Sequence, residues 1–97
     1  MSGVNISMQV LTGGQSAKIA VSTSSVQSAA LTSTSYLVTP DIDMFVRTGS
    51  NPTAVSTGAD QILLAGSTYR IVPLVIGNLL AFISNGSTGS VYLTPDA

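Results

Sequence analysis

Apolar and polar residues alternate along much of this chain, which is the pattern of β-strands that place one face on a core. The alternation is clearest in residues 4–10 and returns in residues 17–22. Gly13 and Gly14 lie between these two segments, and glycine suits turns because it tolerates positive φ angles. We therefore predict two strands that pair as a hairpin.

The next part of the chain predicts two further strands. Residues 23–35 are rich in serine and threonine, which is too polar for a buried strand, so we expect a crossing loop or a short edge strand there. Residues 35–39 and 43–48 then carry aromatic and β-branched side chains, as strands do. Pro40 and Asp41 supply a turn between them.

A sharp change from strand to turn residues follows at residues 49–52, whose sequence is Gly-Ser-Asn-Pro. Proline fixes φ and lacks the N–H that a ladder needs, so Pro52 ends the strand. Residues 53–61 are small and polar, and Gly58 permits a positive φ. This segment is predicted to be a surface loop, and surface loops often carry contacts to other molecules.

The last third of the chain predicts three more strands. Residues 67–74 alternate, and Pro73 indicates a sheet edge or a strand end, because proline cannot donate to a ladder. Residues 79–83 are apolar on both faces, which is typical of a central strand. Turn residues at 85–89 precede the strand at 91–93, so we predict that the chain ends in a hairpin.

No segment has the sustained apolar spacing of an amphipathic helix. The predicted fold class is therefore all-β, an antiparallel β-sandwich or a small β-barrel of about seven to eight short strands. The chain has 97 residues and shows no internal repeat or linker. We expect residues 1–97 to form a single domain.

The low charge of the chain argues against two classes of partner, nucleic acids and anionic membranes. Charged residues make up 7% of the sequence and the formal net charge is −1, against about 25% charged residues in an average soluble domain. Such a surface does not attract nucleic-acid phosphates or an anionic membrane. No apolar segment reaches the roughly 20 residues of a transmembrane helix. We expect neither nucleic acid nor membrane among the partners.

The composition offers few of the side chains that enzymes use for catalysis. The chain contains no histidine, cysteine or glutamate, so a serine or threonine nucleophile would have only Lys18 as a base. Asp41 and Asp43 would point to the same side of an extended segment and could share a hard cation, although we favour a solvated turn. We expect no enzyme activity, no catalytic residue, no metal and no cofactor.

Arg47 and the three tyrosines each allow two interpretations. Arg47 could pair with a carboxylate of a neighbouring subunit, but we favour a clamp within the chain, with Asp43 or Asp60 as its partner, that fixes the following loop. The tyrosines could form a platform for sugars, but we favour the border of a β core, where the ring is buried and the hydroxyl is wet. They are Tyr36, Tyr69 and Tyr92.

From residue 35 onward, about two thirds of the chain, the order of turns and strands resembles a known family. The order is Val-Arg, then Gly-x-Asn-Pro-Thr-Ala, a variable loop, Leu-Ala-Gly, an aromatic strand, and Gly-Asn before a late apolar strand. These pieces lie at residues 46–47, 49, 51–54, 64–66, 69–72 and 77–84. The arrangement resembles small structural virion proteins of tailed bacteriophages, of the decoration or cement kind.

The resemblance implies a non-enzymatic structural protein of the virion. We expect a capsid decoration or cement protein that is made in the host cytoplasm and stabilises the head from the capsid exterior. Its partner would be the major capsid protein or another virion protein. The alternatives are a head–tail junction protein, a tail-associated protein, and a module that binds carbohydrate or a host surface.

Association between copies is expected as well. Sparse charge leaves strand edges with few of the lysines and glutamates that prevent edge-to-edge pairing. We therefore expect a homo-oligomer, with a trimer as the favoured symmetry, that assembles through its sheet edges and residues 49–66. The predicted contact residues are Arg47, Asn51, Pro52, Thr53, Asp60, Leu64 and Tyr69.

Overall fold

The computed structural model describes residues 17–58, 60–72 and 75–95, and these residues form eight strands and no helix. The strands are β1 (Ala17–Val21), β2 (Val26–Gln27), β3 (Tyr36–Pro40), β4 (Met44–Gly49), β5 (Gln61–Leu63), β6 (Tyr69–Ile71), β7 (Leu79–Ser84) and β8 (Gly89–Pro95). The predicted all-β fold is confirmed. The predicted strand at 4–10 and its hairpin lie outside the described residues, as do positions 73 and 74 of the strand predicted at 67–74.

Two four-stranded sheets make the fold a sandwich. Sheet one has the strand order β1-β8-β3-β6, and sheet two has the order β2-β7-β4-β5. Every strand pair is antiparallel. Alternation along the strands gives each sheet one apolar face. The sheets pack face to face because this buries both apolar faces.

The core lies between the two sheets and is formed by alternate residues of each strand. Its side chains that are at most 4% exposed are Val21, Val38, Val91 and Leu93 from sheet one, Met44, Leu63, Leu80 and Phe82 from sheet two, and Leu31 from the loop before β3. Tyr69 and Ile71 pack against this cluster from β6. Where the sequence alternates, at residues 17–22 and 67–74, the apolar residues Ile19, Val21, Tyr69 and Ile71 point inward.

The predicted hairpin at the end of the chain is wrong. β7 belongs to sheet two and β8 to sheet one, so the turn after Ser84 crosses from one sheet to the other. The crossing makes both strands central, because β7 lies between β2 and β4 and β8 lies between β1 and β3. In separate sheets, Phe82 of β7 and Val91 of β8 lie in the same core cluster, and each strand gains neighbours on both sides. The turn at Pro40 and Asp41 likewise joins strands of different sheets.

Three predicted strand positions are confirmed. β7 lies between β2 and β4, so the run that is apolar on both faces is a central strand. β2 is the short edge strand expected within residues 23–35, and β6 is an edge strand, as Pro73 indicated. Of the four edge strands, β2 has two residues, β5 and β6 have three each, and β1 has five. Short edges expose few unpaired backbone groups, and β1 is the longest of the edge strands among the described residues.

Two tyrosine hydroxyls fasten loops to the sandwich. The Tyr36 hydroxyl accepts hydrogen bonds from the N–H groups of Thr32 (2.7 Å) and Ser33 (3.0 Å). The Tyr69 hydroxyl accepts one from the N–H of Leu64 (2.8 Å). Tyr36 is 6% exposed, and its hydroxyl holds the end of the 28–35 loop.

Replacing Tyr36 with phenylalanine is expected to lower the free energy of unfolding by about 1–3 kcal/mol, because two half-buried N–H groups lose their acceptor. Tyr69→Phe is the matched control and should cost less, because the N–H of Leu64 is exposed and can bond to water. Urea denaturation of both variants measures the difference. Equal losses would show that the Tyr36 hydroxyl does not fasten the 28–35 loop.

Candidate assembly surface

The outer face of sheet two carries an open row of large apolar side chains. Phe45 lies directly opposite Ile62 of β5 and Ile83 of β7. Phe45 points outward because its neighbours Met44 and Val46 belong to the core. Ile62 is 41% exposed, and the other two are half-buried. The three side chains form one apolar row across three strands, which we call the apolar row.

A cleft of about 490 Å³ lies beside this row. It is lined by Asp41, Ile42, Asp43, Phe45, Ile62, Ala65, Asn85 and Ser87. Two members of the apolar row therefore form part of its wall, and the turns at 40–43, 64–66 and 84–88 supply the rest. Among the described residues that line it, two are carboxylates and none is basic.

Both carboxylates of the cleft are held by backbone N–H groups. The Oδ1 atom of Asp41 accepts from the N–H of Ser90 at 2.6 Å, and the Oδ1 atom of Asp43 accepts from the N–H of Ala65 at 2.8 Å. These bonds fix the two side chains at one end of the sandwich. The favoured solvated turn is thus a turn whose carboxylates bind the start of β8 and the turn at Ala65.

Among the described residues, the two aspartates are not joined by a third side chain of the kind that binds metal ions. Within residues 17–58, 60–72 and 75–95, no group of three or more His, Cys, Asp or Glu side chains is placed to hold a metal ion. A hard cation such as Ca²⁺ takes six to eight oxygen ligands. The structure therefore offers no argument for a calcium site here.

The other end of the outer face is covered by the loop after β4. Its Asn51 side chain and Pro52 carbonyl accept hydrogen bonds from the Gln27 side-chain amide at 2.9 and 2.8 Å. The N–H of Ala54 donates to the Ser25 hydroxyl at 2.9 Å. Ala54 is 2% exposed. The sequence predicted a surface loop at 53–61, but its first residues pack against the sheet.

The covering loop explains a buried alanine on the outer side of the sheet. Ala81 lies between Leu80 and Phe82, which both point inward, yet it is 0% exposed. It lies opposite Gln27 and Arg47, the two side chains that hold the loop. The apolar face of sheet two is thus covered at one end by the chain itself and left open at the end with the cleft.

Arg47 forms the clamp within the chain that we favoured. Its Nε donates to Oδ1 of Asp60 at 2.6 Å, and Oδ2 of Asp60 accepts from the N–H of Val55 at 2.7 Å. The Asp60 side chain is 5% exposed and that of Arg47 is 42% exposed. One carboxylate thus joins β4 to the middle of the loop at Val55 and to its last residue, Asp60. This confirms Asp60 as the partner instead of Asp43.

The environment of Asp60 lowers its pKa below the ordinary value of 3.8. Burial acts to raise the pKa, but the hydrogen bond from Val55 and the hydrogen bond and charge of Arg47 outweigh it. The folded state therefore favours the ionised carboxylate. This stabilisation is complete above the unfolded-state pKa and is lost as the pH falls through the lower folded-state pKa.

We expect the free energy of unfolding to fall as the pH drops below about 4, and to fall less in the Asp60→Asn variant, which cannot ionise. At neutral pH the variant should be less stable by about 1 kcal/mol, because hydrogen bonds to a charged group are lost. Denaturation midpoints measured from pH 7 to pH 2 test this. Parallel curves for both proteins would rule out Asp60 as a source of the acid sensitivity.

The predicted contact residues fall into two groups. Arg47, Asn51, Pro52 and Asp60 hold the covering loop, and the last two are buried against their own chain. Thr53 is exposed in the same loop.

Leu64 and Tyr69 lie together near the turn before β6, where Leu64 is 50% exposed and Tyr69 is half-buried. A contact with another protein stays a prediction for all seven residues. Among them, Thr53 and Leu64 are exposed residues with no assigned role in holding the covering loop.

The tyrosines do not form a platform. Tyr36 and Tyr69 lie on the inner side of sheet one, with hydroxyls bound to backbone N–H groups. Tyr92 is 40% exposed on the outer side, where the Lys18 Nζ lies 5.9 Å from its ring centroid. Three rings on two opposite faces cannot stack on one sugar, so the core-border interpretation holds for the first two.

Sequence reasoning did not identify the apolar row. A signal was present, because Met44, Phe45 and Val46 are consecutive apolar residues and residues 79–83 are apolar on both faces. A strand with one exposed face would alternate, so two-faced strands side by side indicate a second covered or contacted face. Ile62 gave no such signal.

Comparison with known proteins gave no relatives: no protein-family model, no curated protein and no solved structure matches this chain. Among the described residues, no helix has the length and hydropathy to cross a membrane.

Proposed function

We propose that this chain is a structural protein of a tailed-phage particle, a decoration or cement protein that binds the capsid exterior. The observation that carries the proposal is the apolar row of Ile62, Phe45 and Ile83, which is left open, whereas Ala81 on the same face is buried under the chain's own loop. The resemblance from residue 35 onward supports the same class of protein.

The apolar row suits binding to a protein surface. Apolar side chains gain about 25 cal/mol per Å² when a partner removes them from water, and three of them side by side can be covered by one flat surface. Of the charged side chains nearby, Arg47 and Asp60 are already paired with each other. The favoured partner is therefore the major capsid protein or another virion protein that offers apolar surface.

A small contact of this kind gives tight binding when many copies of it form together. The open end of sheet two offers a small area compared with the roughly 800 Å² that each partner buries in a standard interface. Many copies on a shell, or a homo-oligomer such as a trimer, bind more tightly than one copy because linked contacts form at high effective concentration. Since most of the contact is apolar, association should weaken little as salt rises.

Co-sedimentation with particles assembled without this protein tests the proposal. The wild-type chain is expected to sediment with such particles, and Ile62→Ser to bind about tenfold more weakly, which corresponds to about 1.4 kcal/mol. Tyr92→Ser is the matched control, because Tyr92 is 40% exposed on the opposite face and Ile62 is 41% exposed. It should bind like the wild type. Failure of the wild type to sediment with the particles would contradict the proposal.

A further inference from the structure

The cleft combines apolar walls with negative charge that the chain does not use for an ion pair across it. Phe45 and Ile62 form the apolar part, and Asp41 and Asp43 form the acidic part. Each carboxylate is oriented by a backbone N–H through its Oδ1 atom. The site is therefore shaped before any cation arrives, which reduces the ordering cost of binding.

We propose that this cleft receives a lysine or arginine side chain of the partner protein. The inference rests on the proposed assembly function and names the chemistry of the partner at that surface. The apolar stem of the basic side chain lies along Phe45 and Ile62, as long basic side chains do on apolar surfaces. Its charged head reaches the carboxylates of Asp41 and Asp43, where charge-assisted hydrogen bonds are the strongest available.

Arginine fits this arrangement better than lysine. Its planar guanidinium presents five donors in a fixed fork and stacks on aromatic faces. Phe45 offers an aromatic ring next to the carboxylates, and a guanidinium over such a ring gains a further cation–π contribution. A lysine would use the same apolar stem but would bind the carboxylates as a point charge.

The basic residues of this chain are placed elsewhere. Arg47 is bound to Asp60 under the covering loop. Lys18 lies over Tyr92 on the outer side of sheet one, the opposite face of the sandwich. Arg70 is exposed on β6 of the same sheet. No basic side chain is among the described residues that line the cleft, and we assign the complementary charge to another molecule. One cation per contact keeps the salt dependence of assembly small.

Titration of the labelled chain with the peptide N-acetyl-Leu-Arg-Leu-amide, followed by amide chemical shifts, tests the inference. We expect shifts concentrated at Asp43, Phe45, Ile62 and Ala65, with saturation approached at about 10 mM peptide, since single small contacts bind in the millimolar range. The same peptide with citrulline in place of arginine keeps the shape and loses the charge. It is expected to bind about tenfold more weakly.

The double variant Asp41→Asn and Asp43→Asn separates charge from structure. Asparagine keeps an oxygen that can accept from the N–H groups of Ser90 and Ala65, so the turns stay in place while the charge is lost. We expect about tenfold weaker binding of the arginine peptide to this variant. Asp60→Asn is the control, because it removes a charge outside the cleft and should bind the peptide as the wild type does.

Three results would overturn the inference. Equal binding of the arginine and citrulline peptides would show that the cleft recognises only apolar groups. Absence of shifts at the cleft up to about 10 mM peptide would show that it binds no basic side chain. Self-association by light scattering that Lys18→Ala abolishes, with shifts at the same residues, would make a second copy the occupant. None of these depends on particles, so a failed co-sedimentation with normal peptide binding would count against the proposed function alone.

Discussion

Replacing Phe82 with alanine is expected to lower the free energy of unfolding by about 3–5 kcal/mol, the cost of removing a large buried aromatic side chain and leaving a cavity. Phe82 is 0% exposed and is the largest fully buried side chain among the described residues. It lies opposite Val26 and Val46 in sheet two, in the middle of the core. Neighbouring strands on both sides limit collapse around the cavity. Denaturation in urea, monitored by circular dichroism, measures the loss.

Phe45→Ala is the matched control for this prediction. Phe45 lies on the neighbouring strand β4 but points outward and is only half-buried. Its removal is expected to cost clearly less stability and to weaken binding to particles instead. If the two variants lost the same stability, the assignment of inner and outer faces in sheet two would be wrong.

Gly89→Ala is expected to cost about 1–3 kcal/mol or more, because a side chain would be forced into a site that is already filled. A Cβ atom at this position would overlap Oδ1 of Asp41 and would lie 2.8 Å from both Cγ atoms of Ile42. Asp41 would then have to leave the N–H of Ser90. We expect lower stability together with faster hydrogen exchange of the Ser90 amide.

Gly86→Ala provides the comparison for Gly89→Ala. Gly86 has a φ of 98° and no atom within 4 Å of an added Cβ, so alanine would meet only the conformational penalty of the left-handed region, about 1–2 kcal/mol. Fast exchange at Ser90 should be absent in this variant. Normal exchange at Ser90 in Gly89→Ala would show that the close approach of the 40–42 turn to β8 does not exist.

Most strands could be predicted from the sequence because burial on one face imposes a two-residue period, whereas β5 was not predicted, and its first residue was placed in the surface loop. That period states whether a side chain points inward or outward, and it was right for Tyr69 and Ile71. It does not state which sheet a strand joins. The turn residues after Ser84 suit a hairpin and a crossing between sheets equally well, so the pairing of β7 and β8 with other strands could not be read from them.

The covering loop shows a second limit of the sequence. Gly, Ser, Asn and Pro at residues 49–52 correctly predicted a turn, and Gly58 has the expected positive φ of 93°. The packing of the loop depends on Gln27 and Ser25, which are 25 and 29 residues away from their partners Pro52 and Ala54. Local residue preferences carry no information on such distant partners.

The candidate site was predictable only in part. Asp60 was one of two proposed partners for Arg47, because charges are so few that each has few possible counterparts. The pair Asp41 and Asp43 was recognised as a feature of one turn. Its combination with Phe45 and Ile62 requires the register of β4 against β5, which the sequence does not specify.

An electron-microscopy map of intact phage particles whose genome encodes this chain tests the central proposal most directly. We expect repeated density on the capsid exterior that fits the sandwich of residues 17–58, 60–72 and 75–95, with Ile62 and Phe45 covered by the neighbouring protein and a basic side chain of that protein at Asp41 and Asp43. A well-resolved map without this density anywhere on the particle, or with the apolar row facing solvent in every copy, would contradict the claim.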